Sequence, residues 1–150
     1  MSDPLIRFVI ESNYIEGLDT STSHVDAHRT FLAEPVVTVS ALCGLVRVLQ
    51  PDARLRDRST MPGVRVGDHI APPSGPGIVE RLESVLRAAG DPWRQHVEYE
   101  SLHPFSDCNG RSGRALWLWR HVNEPGHDPH AVERGFLHSW YYHTLARCGR

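Results

Sequence analysis

The stretch HPFSDCNGRSGR, residues 103–114, joins the end of one predicted helix to the start of another through a short polar turn. A helix N-terminus presents backbone N–H groups without intrahelical partners and the positive end of the helix dipole, so anions bind there. Asn109 and Gly110 suit the tight turn that exposes those groups. Arg111 and Arg114, three residues apart, project from neighbouring positions of the new helix and add two positive charges. The segment therefore predicts a polyphosphate site.

Two more side chains in this stretch bring chemistry to the predicted site. Asp107 stands just before the turn, where a carboxylate can hold the Mg²⁺ that accompanies a nucleotide phosphate. His103 ends the preceding helix, and an imidazole is suited to taking a proton near neutral pH. A base, a metal ligand, an anion site and a cationic clamp are the components that phosphoryl or nucleotidyl transfer requires.

The same stretch resembles the Fic motif, commonly written HPFxDGNGRxxR. Many specified positions match, which makes the signal specific: His103, Pro104, Phe105, Asp107, Asn109, Gly110, Arg111 and Arg114. The resemblance implies an all-α fold, the Fic helical core, with a small β-hairpin flap. It also implies a protein adenylyltransferase that moves AMP from ATP to a Ser, Thr or Tyr hydroxyl of a target protein.

The resemblance also assigns roles to the matched residues. His103 is expected to deprotonate the target hydroxyl, which attacks the α-phosphate of ATP and expels pyrophosphate. Asp107 is expected to hold Mg²⁺, and Phe105 to anchor the loop in the core. The backbone of the turn and the two arginines are expected to bind phosphates, at Cys108, Asn109, Gly110, Arg111 and Arg114.

Cys108 departs from the family pattern, in which this position is usually Gly and sometimes Ala. A Cβ and a sulfur are expected to crowd a phosphate that approaches the backbone, which lowers efficiency. A second hypothesis is a redox role, because a helix N-terminus lowers the pKa of a thiol.

An N-terminal segment resembles the inhibitory motif (S/T)xxxE(G/N) of the same family. It reads SNYIEG over residues 12–17, on a predicted helix at about 4–17. Ser12 and Glu16 are four residues apart and share a helix face. The resemblance implies that Glu16 pairs with Arg114 and blocks productive seating of the γ-phosphate.

A β-hairpin is predicted within residues 54–76. Apolar and polar residues alternate over 55–58 and again over 64–66, on either side of a turn that contains Pro62 and Gly63. The later part resembles the Fic flap, which offers a strand edge to the target segment. The expected docking residues are Val64, Arg65, Val66 and Gly67.

The rest of the chain is predicted to be helical. Apolar residues recur at helical spacing, and cap residues or prolines bound the segments. The predicted helices begin after Asp3, at Thr22 or Ser23 and at Thr38, and run over 78–89, 92–102, 115–122 and 136–147. No repeat or long linker divides the sequence, so residues 1–150 are expected to form a single domain.

Composition limits the class of protein. The 150 residues include 16 Lys and Arg against 18 Asp and Glu, a formal net charge of -2. Nucleic-acid-coating domains are usually strongly basic, so no nucleic-acid partner is expected. The three cysteines form no disulfide framework, and neither a secretory signal nor a membrane-length apolar run is present. We expect a cytoplasmic protein whose partners are ATP and an unidentified target protein; it is expected to self-associate if it follows some relatives.

Three alternatives remain open. Glu16 could position a water that removes AMP from a modified protein, or another phosphorylated donor could replace ATP. A catalytically weak nucleotide-binding module is the third. Cys108 is its only support, and His103 argues against it because a module that only binds has no need of a base.

Overall fold

The computed structural model describes residues 3–148, without the side chains of 141, 142 and 145–148. Within that part the chain is mostly helical and carries one two-stranded antiparallel sheet, as predicted. None of those helices has the length and apolar content that crossing a bilayer requires. The elements in chain order are α1 Pro4–Ile15, α2 Thr22–Leu32, α3 Val39–Leu49, β1 Arg65–Val66, β2 His69–Ile70, α4 Pro76–Arg87, α5 Pro92–Leu102, α6 Asn109–Asn123, α7 Ala131–Arg134 and α8 Phe136–Cys148.

Cap residues set the starts of three helices where the sequence predicts them. The side chain before each helix accepts a hydrogen bond from a backbone N–H two or three residues later, at 2.9 to 3.1 Å. These residues are Asp3, Thr38 and Asp91. The second helix begins at Thr22, one residue earlier than a cap at Thr22 allows and two earlier than a cap at Ser23 allows, because Ser21 holds the extended backbone that precedes it.

The hairpin lies within the predicted range but has a different turn. Arg65 pairs with Ile70 and Val66 with His69, so Gly67 and Asp68 form the turn and not the predicted Pro62 and Gly63. Gly67 has φ 59°, which a residue with a Cβ rarely adopts. The backbone at 54–56, expected in the first strand, runs antiparallel to the loop at 104–106, where it satisfies polar groups of that loop.

Helix α6 forms the centre of the fold. It packs against α1, α2, α3, α5 and α7, and most of its residues are buried. One core cluster lies on its Leu116 and Trp119 side, and a smaller cluster lies on its Trp117 and Leu118 side. The start of α6 is therefore held rigidly, which is what a site built on backbone N–H groups needs.

Candidate active site

His103 ends α5 in a left-handed backbone conformation, with φ 52° and ψ 61°. Its Nδ1 lies 3.3 Å from the carbonyl oxygen of Glu100. A carbonyl only accepts, so this contact favours the tautomer with the proton on Nδ1 and leaves a lone pair on Nε2. Burial lowers the pKa of His103, and the positive charge of Arg56 adds to the shift, which keeps the ring neutral. A neutral ring with a free lone pair can act as a base.

Asn109 fixes the loop that follows His103. Its Oδ1 accepts from the Phe105 N–H at 2.9 Å, and its Nδ2 donates to the Phe105 carbonyl at 2.8 Å. Phe105 is 1% exposed and packs in the larger core cluster. Because both polar ends of the Asn109 side chain bond the loop, the side chain holds the loop in place and the backbone N–H is left to meet a phosphate.

Cys108 precedes α6 with φ 69°, the conformation in which glycine is the usual residue. Its side chain is buried and belongs to the larger core cluster. The expected cost of this residue therefore lies in its backbone conformation more than in crowding of a phosphate. Burial raises the pKa of the thiol to about 11, so the prediction of a helix-activated, redox-reactive cysteine is wrong.

Glu16 and Arg114 meet across the first turn of α6. Arg114 Nη2 donates to Glu16 Oε1 at 2.9 Å and to the Ser12 carbonyl at 2.8 Å, while its Nε donates to Ser12 Oγ at 2.9 Å. A Cβ on Gly110 would lie only 2.5 Å from Glu16 Oε1. The carboxylate therefore sits against the N-terminus of α6, where the dipole favours a negative charge.

Gly17 places Glu16 at the end of α1. Gly17 has φ 70°, its N–H bonds to the Tyr14 carbonyl at 2.9 Å, and the Leu18 N–H bonds to the Asn13 carbonyl at 3.0 Å. This pair of bonds is the Schellman motif, which needs the left-handed residue that glycine supplies. The Glu-Gly pair in the sequence thus fixes where the carboxylate leaves the helix.

Arg111 points from α6 toward the ends of α1 and α3. Its Nη1 donates to the Leu49 carbonyl at 3.0 Å and to Asn13 Oδ1 at 3.4 Å, and its Nη2 donates to Gln50 Oε1 at 2.8 Å. Its Nε is buried without a hydrogen-bond partner in the described part of the chain. The guanidinium is held by carbonyl-type oxygens, and no carboxylate of the described residues lies within salt-bridge distance of it, so its positive charge is available to an anion nearby.

A cavity of about 400 Å³ brings most of the predicted residues together. It is lined by Glu16, Leu18, Gln50, His103, Ser106, Asp107, Cys108, Asn109, Gly110 and Arg111. Arg114 lies buried behind it and reaches it through its bond to Glu16. The His103 ring, the carboxylates of Glu16 and Asp107, the start of α6 and the charge of Arg111 thus share a single space.

Asp107 is exposed in this cavity, and its Oδ1 accepts from the Cys108 N–H at 2.7 Å. Within the described residues no three His, Cys, Asp or Glu side chains converge as a metal cluster. Magnesium commonly uses one or two carboxylates and takes its other ligands from phosphate oxygens and water. Asp107 fits that kind of magnesium site.

The predicted docking residues, Val64 to Gly67, form the first half of the exposed hairpin. Its second strand is tied to α5, since His69 Nε2 lies 2.8 Å from the Ser101 carbonyl oxygen. A groove of about 1020 Å³ runs beside that strand between α4 and α5. The hairpin therefore leaves a strand edge and a groove near the base.

An aromatic-walled cavity of about 370 Å³ also borders the hairpin. Trp93, Phe136 and Trp140 line it, together with Val66 from β1. Burial raises the pKa of the Glu100 carboxyl in its wall to about 8, so this group is mostly protonated at neutral pH.

Several residues of the site escape motif reasoning. Asn13 and Gln50 hold Arg111, and the side chain of Arg56 holds the loop after His103. All three are far from residues 103–114 in sequence. Of the three, only Asn13, a polar residue inside the apolar face of α1, could have been marked by a sequence pattern.

No protein-family model matches this chain.

Proposed function

We propose that this chain transfers AMP from ATP to a Ser, Thr or Tyr hydroxyl of a target protein, and that α1 restrains the reaction. The observation that carries the proposal is the carboxylate of Glu16 at the start of α6, bonded to Arg114 and lining the same cavity as His103. An anion already sits in a site that a phosphate group would use. The resemblance of residues 103–114 to the Fic motif supports the same reaction.

The transfer balances with the groups at hand. His103 Nε2 takes the proton of the target hydroxyl as its oxygen bonds to the α-phosphorus. The bond from that phosphorus to the oxygen bridging the α- and β-phosphates breaks, and pyrophosphate leaves. The N–H groups at the start of α6 and the charge of Arg111 face the phosphate oxygens, where charge builds up in the transition state.

Asp107 would hold Mg²⁺, which supplies positive charge against the phosphate oxygens when it is bound. The aromatic walls beside the hairpin suit a flat heterocycle, which favours a nucleotide over a smaller phosphorylated donor. The hairpin edge would take an extended target segment as an added strand, so that main-chain pairing sets which residue faces His103.

Restraint follows from competition for one cation. While Glu16 is bonded to Arg114, that guanidinium is engaged by the protein and the carboxylate repels a phosphate at the same helix start. ATP then binds with its γ-phosphate displaced, and its α-phosphate is not aligned with the hydroxyl. Movement of Glu16 out of the site would restore alignment.

Two labelled forms of ATP test the reaction type. Purified Glu16→Gly protein is incubated with Mg²⁺ and ATP labelled at either the α- or the γ-phosphate, and protein-bound label is counted. AMP transfer predicts covalent label from α-labelled ATP and none from γ-labelled ATP. Label from the γ-position would indicate phosphoryl transfer instead. Label that is bound but lost on denaturation would favour the nucleotide-binding module, and release of AMP from a pre-modified protein the reverse reaction.

A further inference from the structure

Arg56 is a buried cation without a counter-ion. Its side chain is among the fully buried ones, with 0% of the residue exposed. Within the described residues no carboxylate lies within salt-bridge distance of it. Burial of a charge costs roughly several kcal/mol unless hydrogen bonds or an opposite charge compensate for the lost hydration. Such a residue needs a reason that packing does not supply.

The guanidinium of Arg56 uses four of its N–H groups on two separate parts of the chain. On one side, its Nε donates to the His103 carbonyl at 2.7 Å and its Nη2 to the Leu102 carbonyl at 2.9 Å. On the other side, its Nη1 donates to the Pro72 carbonyl at 3.0 Å and to Ser74 Oγ at 2.9 Å.

The first part is the backbone at His103, the proposed base, and the second is the segment that follows the hairpin. Ser74 Oγ donates in turn to the Pro62 carbonyl at 2.9 Å. Pro62 precedes β1 and Pro72 follows β2, so Arg56 holds one stem of the hairpin directly and the other through Ser74. A single planar group therefore joins both stems to the backbone of His103, whose left-handed conformation costs about 1–2 kcal/mol when nothing holds it.

The charge of Arg56 also acts on the imidazole. The groups whose charge reaches His103 are Arg56 and His69, which lower its pKa, and Asp107, which raises it, beside the larger effect of burial and the contact with the Glu100 carbonyl. Among these groups, Arg56 is held in a fixed position and is always charged. It therefore favours the neutral ring.

We propose that Arg56 is a positioning residue that joins the target-docking hairpin to His103 and sets the distance between the presented hydroxyl and the base. The inference rests on the proposed function, because it assigns Arg56 a part in that reaction. A displacement of about 1 Å between reacting groups can cost a hundredfold in rate. Arg56 should therefore act on the transfer step and leave ATP binding to α6.

The test compares four changes in the Glu16→Gly background: Arg56→Met, Arg56→Lys, Ser74→Ala and the control Arg54→Met. Arg54 is exposed, and its side chain bonds only carbonyls of its own segment. The maximal rate of self-labelling from α-labelled ATP and the ATP concentration at half-maximal rate are measured well below the melting temperature. Arg56→Met should lower the maximal rate about a hundredfold with half-saturation unchanged within about threefold.

Arg56→Lys keeps the charge and some of the bonds, so it should recover at least about tenfold of that loss. Ser74→Ala removes the link to Pro62 alone and should lower the rate about three- to tenfold. Arg54→Met should match the parent. A rate in folded Arg56→Met equal to that of the Glu16→Gly parent, or equal losses in rate and ATP affinity, would overturn the inference. If Arg56→Met does not unfold cooperatively, the rates and half-saturating ATP concentrations of Arg56→Lys and Ser74→Ala test the inference by the same criteria.

A nuclear magnetic resonance titration separates this inference from the proposed function. The midpoint of the His103 ring should rise in Arg56→Met and stay near the parent value in Arg56→Lys. Absence of label in the Glu16→Gly parent would overturn the proposed function. The midpoint would then decide alone whether Arg56 acts on His103, and an unchanged midpoint in Arg56→Met would overturn that action.

Discussion

The carboxylate of Glu16 accepts a hydrogen bond from Arg114 at 2.9 Å, and the two residues are separated by 98 positions in the sequence. Arg114 is almost fully buried while Glu16 is partly exposed, with 6% and 41% of their side chains accessible. The cation is thus a fixed part of the core, and the carboxylate at the end of α1 is the partner that can leave. This asymmetry is what a reversible restraint on a phosphate site requires.

Removing the carboxylate of Glu16 should raise transfer. Glu16→Gly, Glu16→Ala and Glu16→Gln each free Arg114 for a phosphate, and a charged hydrogen bond of about 1.5–3 kcal/mol corresponds to roughly a ten- to hundredfold gain in rate. Initial rates of self-labelling from α-labelled ATP measure it. Asp26→Asn, an exposed carboxylate on α2, is the matched control and should leave the rate unchanged. Equal rates in the wild type and in the three Glu16 variants would show that Glu16 is an ordinary surface residue.

Gly110 and Glu16 should be energetically coupled. A Cβ at Gly110 meets Glu16 Oε1 at 2.5 Å, so Gly110→Ala displaces the carboxylate in the wild-type protein. In the Glu16→Ala background that contact is absent, and the closest remaining atom is Arg114 Nη1 at 3.0 Å, at the end of a long side chain. The same substitution should therefore cost less stability there. Urea unfolding of the wild type, the two single variants and the double variant gives the coupling free energy, which we expect to be about 1 kcal/mol or more. Additive effects within about 0.3 kcal/mol would show that the carboxylate does not occupy this position.

Motif reasoning on the sequence picks out residues that the structure places around one cavity, and it misses the residues that support them. The contact between Glu16 and Arg114 that the resemblance implies is present, and the sequence specifies one side of it, because Asp3 caps α1 and Gly17 ends it beside Glu16. The predicted turn of the hairpin is wrong because residues 55–58 also alternate, yet the backbone at 54–56 pairs with the loop after His103. That pairing, like the role of Arg56, depends on contacts about fifty residues apart, which local patterns do not encode.

The left-handed backbone at Cys108 should make a glycine variant at this position more stable than an alanine variant. Cys108→Gly relieves about 1–2 kcal/mol of backbone cost but loses a buried side chain and gains freedom in the unfolded chain, so the net change should be small. Cys108→Ala keeps the backbone cost and loses the sulfur, and it should be less stable than the Gly variant by about 1 kcal/mol. Urea unfolding of the three proteins measures this order. An Ala variant more stable than the Gly variant would show that the residue is not left-handed in solution.

Stability should peak close to neutral pH. Burial lowers the pKa of both His28 and His96 to about 4, so the unfolded chain binds more protons between about pH 4 and 6.5 and stability rises with pH there. Burial raises the pKa of Glu100 to about 8, so the folded chain holds that proton longer and stability falls as pH rises toward 8. These two histidines against one carboxyl leave a net slope of about 1 kcal/mol per pH unit near pH 5. His121, whose pKa burial also lowers to about 4, makes the rise steeper.

Urea unfolding between pH 5 and 8.5 checks these two limbs. Glu100→Gln is the matched variant, because it removes the titrating carboxyl and should flatten the decline above pH 7. A wild-type free energy of unfolding that still rises between pH 7 and 8.5 would contradict the raised pKa of Glu100.

In the proposed reaction, His103 takes the proton of a hydroxyl that attacks ATP, in a site that Glu16 restrains. The most direct measurement is covalent incorporation of label from α-labelled ATP by Glu16→Gly and by Glu16→Gly combined with His103→Ala, with binding of a non-hydrolysable ATP analogue measured in parallel. We predict that the second protein binds the analogue as well as the first but incorporates label at least a hundredfold more slowly, about the loss expected for a general base. Equal incorporation by the two proteins would contradict the role of His103 as the base.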